Sequence, residues 1–261
     1  MVDELFTLVG RGNGYQGRSK RFDTSFGSVR GISHYSLVSK AWADPAQKHH
    51  FSTLYLDRSA MLKKWLTRIP PDPTGVSRHV RKLVLYVVYP KDLEDYEEHL
   101  RAFIRVESLT INCCNGILHH QSVLEWFSTM GSSLTELQII DSPVAPHTMT
   151  SLLAALPLLQ ILQILPFRNL DDTDDVNPPV PPRIPFFEGT NRFVLDSNGG
   201  SSYPAGSLDW IPTSALFGQL EVDAACVMAH PDLVNQWLAS SCTTLKNLAI
   251  RGDPHSTPPP K

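Results

Sequence analysis

Three glycines, Gly12, Gly14 and Gly17, form the closest match to a chemical motif in this sequence. Their spacing is that of the dinucleotide-binding fingerprint, whose glycines lead into a helix that holds the pyrophosphate at its N-terminus. Residues 18–31 read RSKRFDTSFGSVRG and have no apolar stripe at helical spacing. A nucleotide-binding enzyme that uses this loop is therefore the least supported of three functional hypotheses for the chain.

Residue types that bind metals or act as nucleophiles are present, but they lack the required spacing. The histidine pairs at 49–50 and 119–120 do not form the i, i+4 pattern of a metal-binding helix. No alignment of the aspartates within 171–175 also supplies the glycine and glutamate of a calcium loop. The four cysteines form no CxxC pair. We expect a protein without metal or cofactor that is not an enzyme.

The composition predicts a protein with a sizeable core and no affinity for polyanions. Of 261 residues, 42% are hydrophobic, and the net charge of −3 gives no electrostatic reason to bind nucleic acid or an anionic membrane. The longest apolar tract, 152–167, is interrupted by Pro157, Gln160 and Gln163 and is too short to span a bilayer. No apolar stretch typical of a signal peptide begins the chain, so we expect a cytoplasmic or nuclear location.

One stretch of the chain recurs near its end. Val123–Pro143, VLEWFSTMGSSLTELQIIDSP, aligns without gaps with Val234–Pro254, VNQWLASSCTTLKNLAIRGDP. The offset of 111 residues divides into four units of about 28, which is within the range of leucine-rich repeats. The shared pattern, apolar-x-x-apolar-x-apolar, also occurs in degenerate form elsewhere. Its middle positions are Leu54, Leu83, Leu109, Leu137, Leu162, Phe193, Leu220 and Leu248.

These positions predict an α/β fold in which short parallel strands alternate with helices. We expect an irregular leucine-rich-repeat solenoid of about eight units over 51–254, because one unit cannot bury its apolar face alone. Helices are predicted over 92–106, 121–130, 146–156 and 231–240, with Trp126 and Trp237 in the core. The acidic, proline-rich stretch 169–189 is predicted to be a loop insert, and 255–261 a disordered tail.

Side chains that alternate with the apolar strand positions point to the other face of the sheet. This set is mixed in charge and modestly polar, which favours recognition of a protein surface over phosphate or lipid. It includes Gln163, Arg192 and Asp196. The predicted target-binding residues are Lys82, Tyr86, Thr110, Asn112, Glu136, Gln138, Glu221, Asp223, Asn247 and Arg251.

The segment before the first repeat carries a family resemblance. SLVSKAWADPAQKHHFSTLYLD, from Ser36 to Asp57, resembles the back half of the F-box-like domain common in mushroom-forming (basidiomycete) fungi. The matching positions are Ser36, Leu37, Val38, Ser39, Trp42, Phe51, Leu54 and Leu56. Residues 63–87 and 100–114 are similar to the same fungal proteins. An F-box normally opens with a Leu-Pro-x-Glu segment, and Val2–Leu5 lacks the proline.

The resemblance implies an F-box substrate receptor of an SCF-type ubiquitin ligase. The partial F-box at 33–50, after an N-terminal arm at 1–32, would bind the Skp-type adaptor and, through it, the cullin. The adaptor-binding residues would be Tyr35, Leu37, Val38 and Trp42. The repeats would hold a target protein on their concave face. Because the front half of the F-box is missing, a repeat-only interaction module without ligase linkage is the main alternative.

Overall fold

Eight parallel strands build one open sheet in the order β1-β2-β3-β4-β6-β8-β9-β10. The computed structural model describes residues 48–49, 51–56, 63, 72, 74–88, 97–113, 121–140, 143–144, 146–165, 168–169, 184–189, 191–196, 208 and 210–252. The strands of the large sheet are β1 Thr53–Leu56, β2 Lys82–Val88, β3 Ser108–Cys113, β4 Glu136–Ile140, β6 Ile161–Leu165, β8 Asn191–Leu195, β9 Phe217–Asp223 and β10 Asn247–Arg251. Two short strands, β5 Pro143–Val144 and β7 Arg168–Asn169, form a separate parallel pair.

The register of the large sheet confirms the eight predicted strand positions. Each middle residue of the sequence pattern pairs with the middle residue of the next strand, from Leu54 with Leu83 through to Leu220 with Leu248. The apolar residues two places later form a second row in the same way, from Leu56 to Ile250. The fold is therefore α/β with an all-parallel sheet, as the sequence predicts.

The described helices lie between strands and complete one apolar core with them. They are α1 Glu97–Arg101, α2 Gln121–Met130, α3 Pro146–Ala154, α4 Ala224–Ala229 and α5 Pro231–Ser240. Two 3-10 turns also lie between strands, Val76–His79 before β2 and Pro185–Glu188 before β8. Helices α2 and α5 have the predicted bounds. Helix α1 ends at Arg101, so the prediction that the helix continues to 106 is wrong, and Ile104 is 41% exposed instead of facing the core.

The two matching sequence stretches also share a hydrogen-bond pattern. The Ser133 hydroxyl donates to the carbonyl oxygen of Val106 at 2.9 Å, and the hydroxyl of Thr244, which lies 111 residues later, donates to that of Phe217 at 3.1 Å. Val106 and Phe217 are themselves 111 residues apart. A hydroxyl just before each of these strands thus donates to a backbone carbonyl oxygen of the preceding unit.

A single core runs along the described part of the chain from Leu54 to Trp237. Trp126 and Trp237 are 1% and 0% exposed, which confirms their predicted burial. The weakest sequence copy, around Phe193, lacks an apolar residue three places before its middle position, where Thr190 stands. Phe187, in the preceding 3-10 turn, is buried there instead, with its ring 6.5 Å from that of Phe193.

The two edges of the sheet differ in their exposure. At the first edge, Leu54 and Leu56 are 4% and 1% exposed. At the other edge, every residue of β10 is exposed, including Leu248 at 45% and Ile250 at 54%. Among the described residues, no strand pairs with the outer side of β10.

Several predictions concern residues outside the described ranges. These are the arm at 1–32, the partial F-box at 33–50 apart from 48–49, the tail at 255–261, and most of the loop insert at 169–189. The adaptor-binding set Tyr35, Leu37, Val38 and Trp42 and the glycines of 12–17 therefore lie outside the described residues as well. Within the described ranges, no helix combines the length and apolar character needed to cross a bilayer.

Gly131 lies against the backbone of the neighbouring unit at Ala155. A methyl group at this position would lie 2.5 Å from the carbonyl oxygen of Ala155, a backbone atom that can move only with its segment. We expect Gly131→Ala to lower the free energy of unfolding by about 1–3 kcal/mol in urea denaturation. Gly252→Ala is the control, because no atom lies within 4 Å of the added methyl group. Equal unfolding curves for the two variants would contradict this packing.

Candidate functional site

The open face of the sheet, defined as the side chains that alternate with the two apolar rows, is the candidate site. Parallel register stacks these residues into rows across the strands, about 4.8 Å apart. One row runs Tyr55, Val84, Thr110, Gln138, Gln163, Val194, Glu221 and Ala249. Because the apolar rows belong to the core cluster with the helices, this face lies on the side of the sheet away from that core.

The structure divides the predicted target-binding residues into accessible and covered ones. Exposed or half-buried side chains are those of Lys82, Glu136, Gln138, Glu221, Asn247 and Arg251. Thr110 and Asn112 are only 7% and 8% exposed, which differs from the expectation of a uniformly accessible face. Tyr86 pairs with Asn112 through the strand register, and its side chain lies outside the described residues.

Asp223 has a structural role that the sequence pattern did not indicate. Its carboxylate Oδ1 accepts a hydrogen bond from the backbone N–H of Cys226 at 2.7 Å and so caps the N-terminus of α4. The residue is 6% exposed. A carboxylate in this place satisfies a helix N–H group and complements the helix dipole. The expectation that Asp223 presents its side chain to a partner does not match this placement.

Three polar side chains on neighbouring strands form a hydrogen-bonded ladder in the middle of the face. The Thr110 hydroxyl donates to Oε1 of Gln138 at 3.2 Å, and Nε2 of Gln138 donates to Oε1 of Gln163 at 3.3 Å. All the donors point in the same direction along the ladder. Bonds aligned in this way polarise one another, so the ladder orients both amides.

Four charged side chains form a cluster beside the ladder, on β8, β9 and β10. Arg251 pairs with Glu221 and with Asp196, whose Oδ2 lies 3.2 Å from Nη1. Arg192 lies farther from Glu221, with 3.4 Å between Nη2 and Oε2. The two carboxylate side chains are only 15% and 17% exposed, so these pairs are less screened by water than surface pairs are.

The ladder and the cluster include three residues that the sequence analysis placed on this face but did not select: Gln163, Arg192 and Asp196. Sequence spacing alone does not show which polar residues on different strands meet. The pairing of Gln138 with Gln163 follows once β4 and β6 are placed next to each other with this register. The available signal was therefore the period of the repeat, read across units.

Two kinds of chemical site, metal sites and reactive thiols, can be checked in the described residues. No three His, Cys, Asp or Glu side chains of these ranges come together as a metal site requires. Cys226 is buried, and burial, with a smaller effect of the Asp223 carboxylate, raises the pKa of its thiol to about 12. A thiol in this state is not a nucleophile at neutral pH, because the thiolate is the reactive form.

Cys226 and Cys242 are expected to differ in alkylation. Cys242 is exposed, so iodoacetamide at about pH 8 should label it in the folded protein. Cys226 should be labelled only after denaturation, because it is buried and protonated. Peptide mass spectrometry distinguishes the two sites. Labelling of both at the same rate in the folded protein would contradict the buried position of Cys226.

Comparison with protein-family models, with curated protein sequences and with solved structures found no match to this chain.

Proposed function

We propose that the chain is an irregular leucine-rich-repeat solenoid whose open face binds a target protein. The register carries this proposal: eight strands align one continuous apolar core on one side and rows of mixed polar and apolar side chains on the other. Two apolar members of these rows, Val84 and Val194, are buried. Helices are about 10 Å wide and strands are about 4.8 Å apart, so stacking of such units curves the sheet with its open face inward.

The chemistry of the face supports a protein as the ligand. The ladder consists of neutral amide and hydroxyl groups, and the cluster balances two arginines against two carboxylates. A nucleic-acid surface needs an excess of positive charge to displace the counterions of phosphate. A face with amides and paired charges of both signs instead fits the polar part of a protein–protein interface.

A charge reversal in the middle of the face tests this role. We expect a random-peptide selection on the full chain to yield peptides whose binding is lost or at least tenfold weaker with Glu136→Lys. The matched control is Asp232→Lys, the same kind of change on the exposed side of α5, which should leave binding unchanged. Peptides that bind both variants as tightly as the parent protein would place the binding surface elsewhere and contradict the proposal.

The resemblance of residues 36–57 supports a link to ubiquitination. We propose that the chain is the substrate-recognition subunit of an SCF-type ligase, with Tyr35, Leu37, Val38 and Trp42 binding the Skp-type adaptor. The experiment is co-precipitation of the full chain with the adaptor and cullin. Trp42→Ala should abolish the interaction, whereas Glu136→Lys should not affect it, because the two residues serve different partners.

A repeat-only interaction module without ligase linkage is the alternative. If neither adaptor nor cullin co-precipitates while peptides still bind the open face, this alternative is the correct one. The remaining hypothesis, a nucleotide-binding enzyme using Gly12, Gly14 and Gly17, predicts that NAD or ATP raises the melting temperature. An unchanged melting temperature with both nucleotides would remove it.

A further inference from the structure

We propose that Gln163 and Arg192 form a carboxylate-binding point on the open face, which takes an aspartate or glutamate side chain of the target protein. This inference rests on the proposed function, since it names the chemistry that the open face recognises. The two residues lie on the adjacent strands β6 and β8, where Arg192 pairs with Ile161 and Gln163 pairs with Val194. They are thus diagonal neighbours, with Cα atoms about 8 Å apart.

At the end of the ladder, the two N–H donors of the Gln163 amide make no hydrogen bond within the ladder. Oε1 of Gln163 accepts from Gln138, and Oε1 of Gln138 accepts from Thr110, so in this arrangement the Gln163 amide nitrogen lies at the end of the ladder. Nε2 of Gln163 therefore carries two N–H groups at the end of the ladder, and it has no hydrogen-bond acceptor among the described residues. The next residue in the row, Val194, has no polar side-chain atom to offer.

Arg192 is the least engaged cation of the charged cluster. Arg251 forms a close ion pair with Glu221 and a second one with Asp196. Arg192 shares the Glu221 carboxylate with Arg251, and its Nη2 lies 3.4 Å from Oε2 of Glu221. This is the one hydrogen bond that the Arg192 side chain makes within the described part of the chain, and the side chain is 40% exposed. A guanidinium has five N–H donors, so most of them remain available to an incoming acceptor.

A carboxylate fits these donors better than other acceptors do. It accepts charge-assisted hydrogen bonds from a guanidinium in a fork and has lone pairs left for the Gln163 amide. Ile161 and Val194 are apolar neighbours in the same two strands, and they lower the local dielectric once a partner covers the face. A phosphate dianion is disfavoured, because Glu221 stands beside the same guanidinium and would repel the second negative charge.

The test is a titration of the isotope-labelled full chain with a blocked Gly-Glu-Gly tripeptide, observed at the Gln163 side-chain amide by NMR. That signal is identified by its absence in Gln163→Glu. We expect a saturable shift with the acidic tripeptide, and no such shift with blocked Gly-Gln-Gly. Arg192→Gln should weaken the binding about tenfold. Arg105→Gln is the matched control, since Arg105 is exposed, lies between α1 and β3 outside the open face, and should leave binding unchanged.

Three results would overturn the inference. These are the absence of a shift at Gln163, an equal shift with the two tripeptides, and tighter binding of inorganic phosphate than of the acidic tripeptide. None of these results changes the outcome of the peptide selection with Glu136→Lys. The proposal that the open face binds a target protein can therefore hold even if the carboxylate-binding point is rejected. Conversely, the Gln163 signal could shift only with the acidic tripeptide while the selected peptides bind Glu136→Lys as tightly as the parent protein. That result would support the carboxylate-binding point and contradict the proposal that the whole open face binds the target.

Discussion

Replacing Trp126 by alanine is expected to lower the free energy of unfolding by about 3–5 kcal/mol. The indole is 1% exposed and packs against Phe127, with ring centroids 5.3 Å apart. Its Nε1–H also donates to the buried carbonyl oxygen of Leu100 at 2.9 Å, which joins α2 to α1. Urea denaturation followed by far-UV circular dichroism measures the loss. An unchanged curve would contradict the stacking of units around this side chain.

A comparison of phenylalanine variants separates the hydrogen bond from the packing. Trp237 holds the matching sequence position, but its Nε1 has no hydrogen-bond partner among the described residues. Trp126→Phe should therefore be more destabilising than Trp237→Phe by about 0.5–1.5 kcal/mol, because only the former removes a buried hydrogen bond. The Leu100 carbonyl keeps its second hydrogen bond, from the backbone N–H of Phe103 at 3.1 Å. Both changes remove the same ring volume. A larger loss for Trp237→Phe would show that the two tryptophans are not held as described.

Replacing Phe193 by alanine is the second change with a large expected effect, about 3–5 kcal/mol. This side chain is the centre of an aromatic cluster at the C-terminal end of the core. It stacks on Phe217 with centroids 5.5 Å apart and meets Phe187, Trp210 and Trp237 edge-on. Rigid rings cannot collapse into the cavity, and each aromatic pair adds about 0.5–1.5 kcal/mol beyond burial. We therefore expect the upper part of the range.

Phe193→Leu is the control for that measurement. Leucine is the residue at this register position in the other seven strands, from Leu54 to Leu248. It keeps the core apolar and refills part of the volume, so the loss should be less than half of that for alanine. If leucine were as damaging as alanine, ring stacking rather than volume would be the dominant contribution at this site.

The sequence predicted the strands well because their signal is local and repeated. An apolar residue three places before and two places after Leu137 is enough to identify one strand, and the period of the array then sets its neighbours. Helix ends were predicted less well. The apolar residues up to Ile104 suggested a longer helix, but α1 ends at Arg101 although Phe103 and Val106 beyond it are buried. Burial of a side chain does not require its backbone to be helical, so the apolar pattern does not locate the helix end.

The candidate site was predicted only as a face. Alternation along each strand identified its members, including Glu136, Gln138 and Arg251, without any knowledge of their partners. It did not select Gln163 and Arg192, whose importance depends on side chains in neighbouring units. The alternation also did not reveal that the Asp223 carboxylate caps the N-terminus of α4. An aspartate at the end of a strand fits the same sequence pattern whether its side chain contacts a helix or a ligand.

By itself, the sequence therefore determined the eight strand positions, their common register and the division into a core side and an open side. Apolar periodicity contains this information, because burying the same row of every unit satisfies the hydrophobic effect everywhere at once. Only the tertiary structure decided which open-face residues are reachable and which are already engaged. Thr110 and Arg192 interact with Gln138 and Glu221, which lie 28 and 29 residues away in sequence. The accessibility and the hydrogen bonds of a side chain depend on its neighbours in the adjacent units. The apolar pattern of one unit gives no information about those neighbours.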